Sequence, residues 1–244
     1  MKTFLTCLIT LITLQVMSQD LFDAYKQKNL QQVEAILKNG ADPDQLNKSG
    51  VTLMYIAAGE NNVEVGKILI KYGGHVDLRA KSSDATPIFF ACQENSFEFV
   101  KLIVENGGNL NRKCKYAGNQ TPIRFACKTG SVPLVSYLLE KGADIEDTPD
   151  DQITPLIQAA RSDHYDLVKF LIEKKADVNA YASGHDKECA INQAILNKNS
   201  DIVELLLQNG ALVTFTDDKG NSTLKLAKKS KNKKIIELIE ARTK

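Results

Sequence analysis

The phrase TPIFFAC at Thr86–Cys92 returns with one letter changed as TPIRFAC at Thr121–Cys127, 35 positions later. The same phase holds elsewhere. Thr52 heads TLMYIAA, Thr154 heads TPLIQAA, Cys189 heads CAINQAI and Ser222 heads STLKLAK, so the anchors from Thr52 onward are spaced 34, 35, 33, 35 and 33 residues apart. A further step of 33 back from Thr52 lands on Gln19. A unit of this size cannot bury its own apolar face. A chain built of such units buries it by stacking look-alike neighbours, which restricts the fold to a repeat array.

A second anchor runs in phase with the first. Each unit ends in an apolar stretch and then Gly, at Gly40, Gly73, Gly107, Gly142 and Gly210, with Lys175 in that slot of the fifth unit. Gly just past a helix end supplies a left-handed residue without a Cβ penalty, so Lys175 is expected to sit in a strained cap. The Thr-Pro pair predicts the start of one short helix, with the Thr oxygen capping a backbone N–H and Pro in the first turn. Small pairs such as Ala57-Ala58 and Ala159-Ala160 let a neighbouring helix come close. Apolar residues at Leu134, Val135, Leu138 and Leu139 have the period of a second helix. Turn-forming runs after each Gly read as extended fingers linking the units.

Helix–turn–helix units of this length, with T-P-L-x-x-A-A and G-A-D-V-N phrases, resemble ankyrin repeats; TPLIQAARSDHYDLVKFLIEKKADVNA is the nearest copy. The resemblance implies an all-α ankyrin-repeat solenoid of about seven units with finger loops. The units fall near 19–48, 49–82, 83–117, 118–150, 151–185, 186–218 and 219–244. The His of the family phrase is missing. Its slot holds Tyr55, Phe89, Arg124, Ile157, Asn192 and Lys225, so apolar packing is expected to replace the hydrogen bonds that the His makes between repeats. The outer units should be caps, with Lys26, Gln27 and Lys28 wet in the first and the basic run from Lys225 wet in the last.

Residues 1–18 stand apart. Lys2 precedes an apolar run from Phe4 to Met17, and Val16 and Ser18 have the spacing of a signal-peptidase site. The segment reads as a secretory signal cleaved after Ser18, which predicts a periplasmic or secreted protein. It is too short and too rich in Thr to span a membrane, and Cys7 stands too early in the run to carry a lipid. No membrane insertion is expected after cleavage. The last twenty residues carry eight basic and two acidic side chains, which leaves the chain from 19 to 224 at −6. The signal segment argues against reading KKSKNKK as a nuclear or nucleic-acid patch, so no nucleic-acid partner is expected.

Catalytic chemistry finds little support. The three histidines are His75, His164 and His185; the first two have structural slots, and His185 lies in a finger beside Asp186. Asp42 and Asp44, Asp147, Asp150 and Asp151, and Asp217 and Asp218 read as solvated turn residues rather than calcium ligands, since Leu46 stands where an EF-hand needs an acid or amide. No phosphate loop, nucleophile elbow or zinc spacing occurs. Catalytic, cofactor and metal sites are therefore not predicted. Cys92 and Cys127 hold equivalent slots in adjacent units, roughly 10 Å apart, beyond the reach of a disulfide. With Cys114 and Cys189 they are expected to be free thiols.

The composition is that of an ordinary folded protein, 43% hydrophobic and 25% charged with a net charge of +1. Aromatics at 7% and the lack of Trp leave little for a carbohydrate site. The family resemblance implies a monomeric, non-catalytic scaffold that binds a protein partner through a concave face of first-helix ends and finger tips. Mapped onto this chain, those positions are Glu60, Gln93, Glu94, Lys128 and Arg161 on the helices, and Tyr116, Tyr181, His185 and Phe215 on the fingers. Alternatives are a secreted effector that engages foreign-cell proteins, and an enzyme with an unrecognised site. Asn47, Asn119 and Asn221 head N-x-S/T sites in or beside fingers; glycosylation there would indicate a eukaryotic secretory route.

Overall fold

The computed structural model describes residues 20–182, 188–217 and 219–243. Residues 1–18, read above as a secretory signal, and His185, Asp186 and Asp218 lie outside them. Among the described residues the chain forms an ankyrin-type stack of fourteen helices, seven short pairs in sequence order. These are α1 (Leu21–Lys26) with α2 (Leu30–Lys38), α3 (Leu53–Gly59) with α4 (Val63–Lys71), and α5 (Pro87–Gln93) with α6 (Phe97–Glu105). Then come α7 (Pro122–Thr129) with α8 (Val132–Glu140), and α9 (Pro155–Arg161) with α10 (Tyr165–Glu173). The last are α11 (Ala190–Leu196) with α12 (Ser200–Gln208), and α13 (Thr223–Ser230) with α14 (Lys233–Glu240). The only strands described are β1 (Tyr181–Ala182) and β2 (Glu188–Cys189), paired antiparallel in one finger. Single bridges Leu46–Thr52, Cys114–Gln120 and Thr216–Ser222 close others.

The contacts divide the chain into two compact units. One runs to Ala91 and takes in Ser96–Asn109; the other holds Cys92–Asn95 and Leu110 onward. The first packs Leu21, Leu53, Met54, Leu69, Ile88, Phe99 and Ile103, all fully buried. Here Gly59 is required by a close approach, because a Cβ on it would lie 2.2 Å from the Phe90 ring, which itself stacks on Tyr55 with centroids 5.0 Å apart. The second packs Ile123, Leu134, Leu138, Leu156, Ile157, Leu167, Ile191, Ile195 and Leu206, and ends on Ile235 and Ile239. Lys225, Lys228, Lys229, Lys231, Lys233 and Lys234 face solvent, and at the other terminus so do Lys26, Gln27 and Lys28. Both ends therefore present the wet faces read from the sequence.

The Thr cap holds at Thr52 and Thr154, whose side chains accept from Tyr55 and Ile157, and at Ser222, which accepts from Lys225. It fails at the two phrases that reveal the repeat. The Thr121 hydroxyl donates to Asp147 instead, and Thr86 Oγ1 is buried without a protein partner.

Left-handed residues are not confined to the Gly slots. The Gly slots have φ between 83° and 94°, and Lys175 shares the conformation at φ 71°. A second series, Lys28, Asn61, Asn95, Gly130, Asp163, Lys198 and Lys231, turns the chain between the helices of a pair at φ 53° to 75°. With one Gly in seven, that series gave no compositional signal. Lys175 N–H donates to Ile172 at 2.9 Å and Ala176 N–H to Leu171 at 3.0 Å, as Gly40 and Ala41 do to Leu37 and Ile36. Lys175→Gly therefore keeps every bond and removes a Cβ from a disfavoured region. It should stabilise the protein by about 1 kcal/mol and raise Tm by roughly 2–4 °C; a fall in Tm by calorimetry would contradict this account of the cap.

Candidate functional site

Neighbouring repeats are tied by side chains that reach backbone groups of the preceding layer. In the first unit Ser96 Oγ donates to Gly59 O at 3.1 Å. In the second, His164 Nε2 meets Lys128 O at 2.9 Å, Asn197 Nδ2 donates to Ala160 O and Arg161 O at 3.0 and 3.1 Å, and Asn232 Nδ2 donates to Lys198 O at 3.3 Å. These carbonyls lie at or just past the ends of α3, α7, α9 and α11, where a helix leaves acceptors unpaired. His164 is thus a structural link, as its slot suggested.

A matching ladder runs at the fingers. Asp44 accepts from His75 N–H at 2.9 Å, Asp77 from Asn109 N–H at 3.0 Å, Glu146 from Asp177 N–H at 2.7 Å and Asn179 from Leu212 N–H at 2.8 Å. Asp44 also pairs with the His75 ring and holds it above the usual imidazole range. The acidic residues are therefore not all solvated turn residues. Asp147 is buried, which lifts its carboxyl above the ordinary value against the opposing bond from Thr121. Among the described residues no group of three or more His, Cys, Asp or Glu could hold a metal ion, and no helix is long and apolar enough to cross a membrane.

The missing family His is replaced differently from the sequence expectation. Tyr55, Phe89 and Ile157 do pack apolar surface. Arg124, only 2% exposed, instead donates through Nη1 and Nη2 to the two oxygens of Asp151, each at 2.9 Å. Its Nη1 also reaches Ile153 O at 3.1 Å, and Nε donates to Gln158 Oε1 at 2.9 Å. Asn192 Oδ1 accepts from Thr223 Oγ1 at 2.9 Å. Hydrogen bonds between repeats thus persist in these two layers because both side chains find polar partners in the next repeat. Burial would raise the Asp151 carboxyl, but the bonds from Arg124 and Ile153 N–H and the charges of Arg124 and Arg161 outweigh it and lower it.

The expected binding positions fall into separate groups. Glu60, in the first unit, is exposed and accepts from Tyr25 Oη at 2.5 Å. Gln93 and Glu94 are exposed at the end of α5, with the Gln93 amide donating to Glu94 at 3.0 Å. Lys128 and Arg161 are exposed in equivalent slots of α7 and α9. Lys128 Nζ lies 4.4 Å from the Phe125 ring centroid, and Arg161 Nη1 is 3.4 Å from Glu188 Oε1. Tyr116 stands 70% exposed in a short 3-10 turn (Lys115–Ala117) at a finger tip. Tyr181 and Phe215 are not free tips: their rings stack at 5.2 Å and Tyr181 Oη donates to Thr216 O at 2.9 Å. Leu196, 56% exposed, and Lys229, also exposed, occupy the Lys128 and Arg161 slot in the sixth and seventh units. The sequence reading passed over both, although counting on from Cys189 and Ser222 reaches them.

Ankyrin repeats, by the description of the matching family model, cover residues 21–114 and 106–182. The chain belongs to the ankyrin-repeat family. Such domains are generally non-catalytic scaffolds for protein–protein interaction. Among solved structures, the human ASB11 ankyrin repeat domain is 24% identical, covering 92% of this chain and 97% of that one with a TM-score of 0.79. The ankyrin repeat domain of Bcl-3, described as a unique member of the IkappaB protein family, is 22% identical, covering 91% and 98% with a TM-score of 0.76. No curated protein matches the chain in sequence.

Two predictions follow from this geometry. Arg124→Met strips Asp151, Gln158 and Ile153 O of their donor and should cost about 3 kcal/mol in urea unfolding at pH 7. Because the folded Asp151 carboxyl is depressed, its contribution is present above the unfolded value near 3.9 and lost as pH falls through the lower folded value. The variant should therefore show a shallower loss of stability below about pH 4, and an unchanged acid limb would show that Arg124 does not hold Asp151. The second concerns the thiols. Cys92, Cys114, Cys127 and Cys189 are free and buried. Burial pushes Cys127 and Cys189 up to about 12 and raises Cys92 as well. A maleimide at pH 8 should label none of the four in the native protein and all four after unfolding without reductant, as counted by mass.

Proposed function

We propose that this protein is an exported, non-catalytic scaffold that grips a protein partner with the first-helix ends and the Tyr116 finger of its second unit. One observation carries the reading. Lys128, Arg161, Leu196 and Lys229 repeat at one slot as solvent-exposed side chains, while hydrogen bonds from neighbouring layers occupy the backbone carbonyls around them. A fixed frame carrying a cation, a cation, an aliphatic group and a cation has chemistry to offer a surface, but no paired acid and base. Exposed Tyr116 adds a large rigid contact at small entropic cost.

Export rests on the N-terminal segment: Lys2, the apolar run to Met17, and Val16 and Ser18. Among the described residues the first helix begins at Leu21, capped by Asp20, close behind the inferred cleavage point. Affinity capture from the native compartment tests both parts. The wild-type chain should retain one protein above background and carry Gln19 as its first residue. Arg161→Glu and Tyr116→Ala should each weaken retention by about tenfold, while Tyr181→Ala, which removes a contact between fingers, should lower stability more than affinity. Equal retention by the Arg161 and Tyr116 variants would remove this face from the binding site.

A further inference from the structure

The slot that supports the binding reading also specifies what should fill it. Lys128, Arg161, Leu196 and Lys229 sit at the C-terminal ends of α7, α9 and α11 and near that of α13, all in the second unit. The links from His164, Asn197 and Asn232 hold successive helix ends in line. Packed helices stand about 8–10 Å apart, and a polyproline II segment has three residues per turn and rises about 3.1 Å per residue, so one turn spans one layer and every third side chain faces the row.

The charges in the row are incompletely met by the protein. Partial desolvation, then the positive charges of Arg124 and Arg161, hold the Lys128 ammonium below its usual value against an opposing pull from Asp151. Arg161 has its Glu188 contact at 3.4 Å and further guanidinium donors. Lys229 Nζ donates to the neutral Asn221 amide oxygen at 2.7 Å. Nearby carboxylates are committed: Asp151 to Arg124, and Asp163 to the Asn199 amide at 2.8 Å. The slot before Lys128 is Gln93, with acidic Glu94 beside it, which ends the cationic run on that side. Leu196, exposed between Arg161 and Lys229, is aliphatic and offers no face on which a base could stack.

We infer that the partner presents an acidic segment in the polyproline II conformation, with carboxylates every third residue interrupted by one apolar side chain, laid along Lys128, Arg161, Leu196 and Lys229. This rests on the scaffold reading above and names the partner chemistry for that face. Carboxylates at the first, fourth and tenth positions meet the three cations, and an apolar seventh residue meets Leu196; the reverse chain direction mirrors the pattern.

The test is an NMR titration of the full chain at low ionic strength with two ten-residue peptides, one in each direction, built of Pro and Ser around those Glu and Leu positions. A control peptide of the same composition places its three Glu side by side. One spaced peptide should shift amides around Lys128, Arg161, Leu196 and Lys229 and bind at least about fivefold more tightly than the clustered control. Added salt should weaken it, Lys128→Glu combined with Arg161→Glu should abolish it, and Leu196→Ala should weaken it several-fold without altering the fold by circular dichroism. Equal binding of the clustered peptide, shifts elsewhere, no shifts, or tighter binding of oligothymidylate to the same row would each overturn the inference. If a captured native partner depends on Arg161 while neither spaced peptide binds, the scaffold reading stands and this one falls; if that partner ignores Arg161 and Tyr116, both fall.

Discussion

A helix pair in this protein cannot satisfy its own ends. Each first helix stops with carbonyls that its own turns leave unpaired, and each finger begins with an N–H that points toward the preceding layer. Burial of Leu, Ile and Phe supplies most of the attraction between layers, but apolar contact alone is nondirectional. Register comes from the polar links at the two edges: Ser96, His164, Asn197 and Asn232 on carbonyls at one edge, and Asp44, Asp77, Glu146 and Asn179 on N–H groups at the other. A layer that slipped would leave both sets desolvated and unpaired, at roughly 1–3 kcal/mol for each group.

This explains which parts of the fold were legible. Period, helix pairing, Gly caps and wet outer faces depend on residue type at a slot, and a sequence displays slots directly. Partnership between slots is a different kind of information. Arg124 stood in plain view as a replacement for the family His, yet nothing in its own unit disclosed that Asp151, Ile153 O and Gln158 of the next unit would satisfy it. Asp147 looked like a turn carboxylate because its burial arises from Thr121 and the packing of the adjoining finger. Tyr181 looked like a free tip because Phe215 lies 34 positions away. The second left-handed series was hidden because Lys, Asn and Asp fill it, and Lys carries no turn signal. For the candidate face, Lys128 and Arg161 were readable from phase, and so were Leu196 and Lys229 once the count was carried past the Thr-Pro units into the degenerate ones.

The Arg124 site shows how a repeat protein keeps its repeats from being interchangeable. An Arg in a buried slot is tolerated only when its charge and most of its donors are met, and here the two oxygens of Asp151 match the fork while Ile153 O and Gln158 take other donors. The equivalent position is Tyr55, stacked on Phe90, in the second unit of the sequence, Ile157 in the fifth and Asn192, bonded to Thr223, in the sixth. Each solution needs its own neighbour. Exchanging the Arg124 layer with the Ile157 layer would bury a guanidinium without its carboxylate and leave Asp151 without a donor. Such pairings contribute little net stability after desolvation, yet they penalise every arrangement but one. The same property favours the face above them as a recognition surface. Because the edge links hold the ends of α7 and α9, the backbone that carries Lys128 and Arg161 is set in advance, and a segment of the proposed kind would find less backbone freedom left to remove from the protein.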